Sequence, residues 1–174
     1  MNILVTGGAG FIGSNFIHHI LETHKEYNVV NYDKLTYAGN VENHTHIEND
    51  PRYTFVQGDI IDLDRLNETM QKHNITHVIN FAAETHVDRS IHGGCKDFVL
   101  TNVLGTQMIL DAVKTNNITK FVNVSTDEVY GSLPLDSDDL FTENTPVMPN
   151  MPYAAAKAGG DLMCNAYFVT HKTP

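Results

Sequence analysis

Short apolar runs alternate along the chain with longer stretches in which apolar residues recur every three or four positions. The short runs are Ile3-Leu4-Val5, Val29-Val30-Asn31-Tyr32, Tyr53-Thr54-Phe55-Val56-Gln57, His77-Val78-Ile79-Asn80-Phe81 and Lys120-Phe121-Val122-Asn123-Val124-Ser125. Runs of this length, rich in Val, Ile, Phe and Tyr, predict strands buried on both faces. Helical periodicity appears at Phe11, Ile12, Phe16, Ile17, Ile20 and Leu21, and again at Leu63, Leu66 and Met70 within 62–73. A longer helical pattern runs from Lys96 to Thr115; its apolar residues cover more than one stripe, which predicts packing on the sheet and on a second surface such as a partner subunit. Strands alternating with helices predict an α/β fold: a Rossmann-type, doubly wound parallel sheet with helices on both faces. With 174 residues the chain is long enough for one such domain with a sizeable core and too short for two.

The turn after the first run sharpens this picture. Gly7, Gly10 and Gly13 are spaced three apart in Gly7-Gly8-Ala9-Gly10-Phe11-Ile12-Gly13. Gly7 can turn the chain at positive φ, Gly10 lets backbone approach a pyrophosphate, and Gly13 lets the new helix pack on its strand. The helix N-terminus then offers amide donors and the positive end of its dipole to phosphate. Asp33, twenty residues beyond Gly13 at the end of the second run, can accept both ribose hydroxyls of an adenosine and repels a 2′-phosphate, so the cofactor expected is NAD rather than NADP. Lys34-Leu35-Thr36-Tyr37-Ala38-Gly39-Asn40 should line the adenosine end. Asp59 is either a contact to the adenine amino group or a turn or capping acid. Ala82 and Ala83, just past the fourth run, repeat the small-residue logic of the first loop.

Composition removes several alternatives. The formal charge of −10, with no basic cluster, argues against nucleic acid and anionic membrane as partners. Cys95 and Cys164 have no CxxC spacing, so neither a disulfide framework nor a zinc site is expected. His86, Asp88 and Arg89 share a polar connection without a third ligand at metal spacing, and are expected to satisfy loop backbone or one another. No basic leader and no membrane-length apolar run stands in the sequence, which predicts a cytoplasmic protein. Its Asn-x-Thr triplets, at Asn43, Asn67, Asn74 and Asn117, would there meet no glycosylation machinery.

Acid–base chemistry concentrates in two later stretches. Thr126-Asp127-Glu128 follows the fifth run directly. Two carboxylates beside a hydroxyl at a strand's carboxyl tip can divide into acid and base, or can simply cap a helix. Tyr153 and Lys157 stand four apart on a helix pattern, so a lysine ammonium can lie beneath the phenol and favour its phenolate. Thr126 is placed to share the hydroxyl. The stretch 133–152, rich in Asp, Pro and Thr, reads as a surface loop whose length suits a flap on the substrate side.

These residues resemble the extended short-chain dehydrogenase/reductase family, and within it the dTDP-glucose 4,6-dehydratases. The matching motifs are TGGAGFIGSN (6–15), DKLTYAGN (33–40), FAAETHVDRSI (81–91), TNVLGT (101–106), STDEVYG (125–131) and PYAAAK (152–157). The resemblance covers the whole chain, and Asp127-Glu128 after Thr126 is the mark of the dehydratases within the wider group. It implies an NAD site formed by Gly7, Gly10, Phe11, Ile12, Gly13, Asp33, Lys34, Leu35, Thr36, Asp59, Ile60, Phe81, Ala82, Ala83, Thr85, Thr101, Tyr153 and Lys157. It implies sugar contacts from Thr85, Thr126, Asp127 and Glu128. In the implied reaction Tyr153, helped by Lys157 and Thr126, takes the proton of the glucose 4-hydroxyl, Glu128 takes the C5 proton, and Asp127 protonates the departing 6-hydroxyl. The product would be dTDP-4-dehydro-6-deoxy-D-glucose, a rhamnose-type deoxysugar precursor.

The resemblance further implies a homodimer joined through the helices around 96–115 and 153–170. Length is the departure: members run about twice as long, and their later half supplies most of the nucleotide-sugar pocket. The chain is therefore expected to be an N-terminal half, binding NAD and turning over sugar nucleotide poorly or not at all, with the outer edge of its fifth strand uncovered. UDP-glucose as substrate, a nucleotide-sugar epimerase, a plain reductase and a non-catalytic NAD-binding module remain the competing expectations.

Overall fold

The computed structural model describes all 174 residues. Five strands, β1 (Asn2–Thr6), β2 (Asn28–Asp33), β3 (Tyr53–Gln57), β4 (His77–Asn80) and β5 (Lys120–Asn123), form one sheet in the order β3-β2-β1-β4-β5. Every pairing is parallel. The strands coincide with the five apolar runs, and β5 stops two residues short of its run. The order reverses beside β1, so the crevice at the carboxyl ends of β1 and β4 is the topological switch point where ligands of open α/β sheets lie.

Alternation along the strands divides the core. Leu4, Val30, Tyr32 and Val78 face one layer, where α2 (Leu63–Lys72) supplies Leu66 and Met70 and α5 (Thr106–Thr115) supplies Ile109, Ala112 and Val113. Ile3, Val5 and Val29 face the other, against Ile17 and Leu21 of α1 (Phe11–Thr23). Burying each large apolar side chain contributes about 1.5–3 kcal/mol before conformational entropy is set against it. Asp62 starts α2 by accepting the Arg65 amide at 3.0 Å, satisfying a donor the helix cannot.

Two regions depart from the sequence pattern. The polar connection at 86–92 contains a short helix, α3 (Val87–His92), capped by His86, whose Nδ1 accepts the Arg89 amide at 3.4 Å. This is the loop-satisfying role expected of His86. The long helix pattern is divided into α4 (Lys96–Val99), a π-helical segment (Leu100–Gly105) and α5. Buried Asn102 explains the bulge: its side chain accepts the Glu84 amide and donates to the Glu84 carbonyl, both at 2.9 Å. That pairing pulls the helix toward the β4 tip.

The second surface met by this helical stretch is α6 (Pro152–His171) of the same chain. Gly159 and Gly160 allow the approach, since a Cβ on Gly160 would stand 2.6 Å from the Asn102 carbonyl oxygen. The stretch 132–151 contains no helix or strand. No helix is long and apolar enough to cross a membrane. On the outer side of β5, the Phe121 amide donates to the Pro174 carbonyl at 2.9 Å.

Candidate active site

A cleft of about 550 Å³ runs across the carboxyl ends of the strands from Asp33 and Asp59 to Ser125, Tyr153 and Lys157, within the size range of cofactor sites. At its centre Gly7 has φ +70°, and a Cβ there would stand 2.5 Å from the Ala82 amide nitrogen. Gly13 is equally constrained, because its Cβ would meet the Gly7 carbonyl oxygen at 2.4 Å. The glycine loop is thus wedged against the β4 tip and the start of α1, with room only for hydrogen at Gly7 and Gly13. No side chain caps α1, whose first turn carries no acid. Phe11 and Ile12 are largely exposed at the cleft, leaving that end of the helix open to an anion.

At the adenosine end Asp33 is 9% exposed. One of its oxygens accepts the Ala9 amide at 2.9 Å, and the other the Leu35 amide at 2.8 Å, so the carboxylate joins the glycine loop to the loop that follows β2. Each oxygen keeps a lone pair for a hydroxyl donor. Lys34 and Asp59, both read as cofactor contacts, pair with each other at 2.6 Å. Asp59 also accepts the Ile61 amide at 3.2 Å, the turn role held open for it. Leu35 does not line the cleft: with φ 61° its backbone is left-handed and its side chain lies against Gly39. The remaining expected cofactor residues, Gly10, Thr36, Ile60, Phe81, Ala82, Ala83, Thr85 and Thr101, all line it.

A clasp closes this end. The Arg89 guanidinium lies 4.5 Å from the Tyr37 ring centroid and pairs with Glu84 at 3.4 Å. The Tyr37 hydroxyl donates to the Thr85 carbonyl at 3.4 Å. Beneath the glycine loop, buried His44 contacts the Gly8 carbonyl through Nε2 at 2.9 Å. Burial, followed by neighbouring His18 and His46, holds its pKa below the usual histidine value.

At the other end Thr126 caps a 3₁₀ turn, Asp127–Tyr130, by accepting the Glu128 amide at 3.4 Å. Successive residues of such a turn point about 120° apart, so Asp127 and Glu128 diverge. Thr126, Asp127 and Glu128 stand at the rim beyond Ser125 and do not line the cleft itself. They do reach Tyr153. Burial raises its phenol pKa above the ordinary value, Glu128 and Asp127 add to this, and the Thr126 hydroxyl opposes it. The Tyr153 ring packs edge-on against buried Phe98, with centroids 6.3 Å apart.

Lys157 lines the cleft together with Tyr153. Its Nζ donates to the Val124 carbonyl at 2.6 Å, and the charges acting on Tyr153 are the two carboxylates. A buried ammonium needs an acceptor, and the β5 carbonyl supplies it. Burial lowers the Lys157 pKa and Asp161 opposes the shift. Asn80, Asn102, Asn123 and Asp161 are polar groups that the motif reading passed over. Their signal was present, as Asn80 and Asn123 are polar residues inside otherwise apolar strands.

With this geometry in view, comparison with known proteins is specific. The family model described as GDP-mannose 4,6 dehydratase matches residues 4–174. The chain is 49% identical to the dTDP-glucose 4,6-dehydratase of Streptomyces niveus over 175 residues, covering 98% of this chain and 50% of that protein. It is 47% identical to the low-salt glycan biosynthesis protein Agl12 of Haloferax volcanii, covering 100% and 54% respectively. Among solved structures, that of a dTDP-glucose 4,6-dehydratase from Bacillus anthracis in complex with NAD matches with a TM-score of 0.89 at 45% identity, covering 100% of this chain and 52% of that one. The chain therefore spans about half the length of the curated relatives it matches.

Proposed function

The chain belongs to the family described as GDP-mannose 4,6 dehydratase, and on that premise we propose that residues 1–174 are the NAD-binding domain of a dTDP-glucose 4,6-dehydratase. The observation that carries the reading is the continuity of one cleft. It runs from a buried, amide-bridged acid at the β2 tip, past a cradle in which Gly7 and Gly13 leave no room for a Cβ, to Tyr153 and Lys157, with Thr126, Asp127 and Glu128 on its rim.

The residues fit NAD. Asp33 can take both ribose hydroxyls, the cradle at Gly7, Gly10 and Gly13 admits a diphosphate backbone, and Ala82 and Ala83 leave space beside β4. When bound, NAD⁺ would supply a hydride acceptor for C4 and, once reduced, a hydride donor for C6. Everything else falls to side chains of this chain. Tyr153 takes the 4-hydroxyl proton, with Thr126 sharing that hydroxyl and Lys157 fixing the helix that carries the phenol. Glu128 removes the C5 proton, which the 4-ketone has made acidic. Asp127, on a diverging direction of the same turn, protonates the 6-oxygen as it leaves as water. The raised phenol pKa means that Tyr153 is protonated at rest, and the positive charge of a neighbouring nicotinamide would favour its ionisation. Thr85, at the β4 tip, would contact the sugar. We extend the proposal to a homodimer joined through the helices around 96–115 and 153–170 and to a cytoplasmic location.

The test is to incubate the purified chain with NAD⁺ and dTDP-glucose, or with UDP-glucose, and follow the sugar nucleotide by mass for loss of one water. Dehydration of dTDP-glucose alone supports the proposal. Dehydration of UDP-glucose alone reassigns the base, and NAD⁺ binding without dehydration of either makes this stretch a cofactor module that needs further chain for turnover.

A further inference from the structure

Thr6, Asn80 and Asn123 occupy one row across the sheet, each the in-register partner of the next on β1, β4 and β5. Their side chains are joined end to end. Thr6 Oγ1 donates to Asn80 Oδ1 at 2.6 Å, Asn80 Nδ2 donates to Asn123 Oδ1 at 2.8 Å, and Asn123 Nδ2 donates to Asp161 Oδ1 at 3.0 Å. Asn80 Oδ1 also accepts the Ala82 amide at 3.2 Å. The other Asp161 oxygen accepts the Ser125 hydroxyl. The row therefore reaches from the residue before the glycine cradle to the residue before Thr126.

Its direction is set at one end. An ionised carboxylate only accepts hydrogen bonds, so Asn123 must present its amino group to Asp161 and its oxygen to Asn80. Asn80 must then present its oxygen to Thr6 and to the Ala82 amide. Asp161 stands one helical turn beyond Lys157 and two beyond Tyr153, on the same face of α6. Together with Lys157 it holds three consecutive residues of the β5 tip: Asn123 by its amide, Val124 by its carbonyl and Ser125 by its hydroxyl. Val122, the residue just before this tip, is 42% exposed, and these side-chain bonds do for the tip what flanking strands do for β1.

Resting on the dehydratase reading above, we propose that Asp161 is a positioning residue. Through Ser125 and Asn123 it sets Thr126, Asp127 and Glu128 against Tyr153, and through Asn80 and Thr6 it ties both to the cofactor cradle. It touches neither substrate nor cofactor in this role. Its charge also opposes the lowering of the Lys157 pKa by burial.

The test compares the unsubstituted chain with Asp161→Asn and Asp161→Ala in two measurements. Hydrogen exchange followed by mass spectrometry should rise about tenfold or more at amides 124–129 in Asp161→Ala, with amides of β1, β2 and β3 unchanged. Asp161→Asn, which keeps the shape but loses the acceptor-only end, should fall between the two. Where the chain dehydrates dTDP-glucose, kcat should fall on the order of 10–100-fold in Asp161→Ala with KM changed less than about threefold, because misplacement affects chemistry more than binding. Unchanged exchange at 124–129 overturns the proposal, as does a rise spread evenly over all strands, which would make Asp161 a general structural residue. A parallel loss through KM overturns it as well. Absence of turnover in the unsubstituted chain counts against the activity reading alone, and the exchange measurement still decides the role of Asp161.

Discussion

The two ends of the cleft are built by different means. At the adenosine end, β1 and β2 are each flanked on both sides by strands. Backbone does most of the shaping there: Gly7 against Ala82, Gly13 against Gly7, and two loop amides on Asp33. At the chemical end, β5 has one strand neighbour, and side chains reaching from α6 hold its tip. A cradle made of backbone is intolerant of a single Cβ, whereas a tip held by Lys157 and Asp161 depends on the charge of the side chains that hold it. Each end can be broken in a way the other would survive.

The largest effect is expected from Gly7→Ala. Its φ of +70° disfavours an L side chain, and the new Cβ would fall within 2.7 Å of backbone atoms of Phe81 and Ala82, which cannot rotate away. Left-handed φ alone costs about 1–2 kcal/mol, and the collision forces β1 and β4 loops apart. NAD⁺ affinity measured by calorimetry should fall on the order of 100-fold or more, with a lower unfolding midpoint. Gly94→Ala is the control: φ is +87°, yet nothing lies within 4 Å of the new atom, so it should show a modest stability loss and unchanged affinity. Equal NAD⁺ affinity in the two variants would refute the backbone cradle.

Asp33→Ala is next. It strands the Ala9 and Leu35 amides in a buried place, each worth about 1–3 kcal/mol when unsatisfied, and removes the ribose acceptor. NAD⁺ affinity should drop roughly 10–100-fold, which corresponds to about 1.4–2.7 kcal/mol. Asp33→Asn should lose less affinity and also narrow the preference for NAD⁺ over NADP⁺, since the anion is what repels a 2′-phosphate. An unchanged preference would mean that discrimination lies elsewhere in the cleft.

The same contrast explains what the sequence revealed. All five strands and the glycine cradle were legible because period and glycine spacing are local properties, and Asp33 sits a regular distance down the chain. That Leu35 lies outside the cleft lining was not legible, because its left-handed backbone goes with an amide held by the Asp33 carboxylate and not with the leucine's own preference. Lys157 was correctly put on the Tyr153 face, while its acceptor, a carbonyl of β5, could only be known once α6 was docked on the sheet. The π-helical bulge escaped for the same reason, since it answers to Asn102 pairing with the backbone of Glu84. Asn80 and Asn123 were visible as polar residues in apolar strands, but their in-register pairing across β4 and β5 is a property of the sheet.

A smaller effect separates the ends by pH. Because His44 has its pKa lowered, an unfolded chain takes up a proton there before the folded one does. The stability this group contributes is present above about pH 6.5 and is lost as pH falls through the lower folded value. The groups around it are His18 on α1, His46, Asp33 and the Tyr53 ring, with Gly8 accepting its bond. Acidification should therefore loosen the glycine loop before it disturbs α6. His44→Gln keeps a donor for Gly8 and removes the titration. It should flatten the acid-side decline in unfolding midpoint measured by thermal melts across the acid range. An unchanged decline would assign the pH response to another group.

The smallest effect on stability belongs to the outer edge of β5, where an uncovered strand edge was expected. Phe121 gives its outward amide to Pro174, and alternation turns the Asn123 amide the same way. Exposed backbone donors on an edge invite pairing with another chain, and a charge there opposes it. Val122→Lys should therefore change stability by no more than about 0.5 kcal/mol, yet reduce concentration-dependent self-association seen by sedimentation velocity. If association persists unchanged, the contact lies on the apolar side chains that α6 exposes, Leu162, Phe168 and Val169, and Leu162→Glu should then diminish it. That outcome would make the helical surface, not the strand edge, the part of this end that seeks a partner.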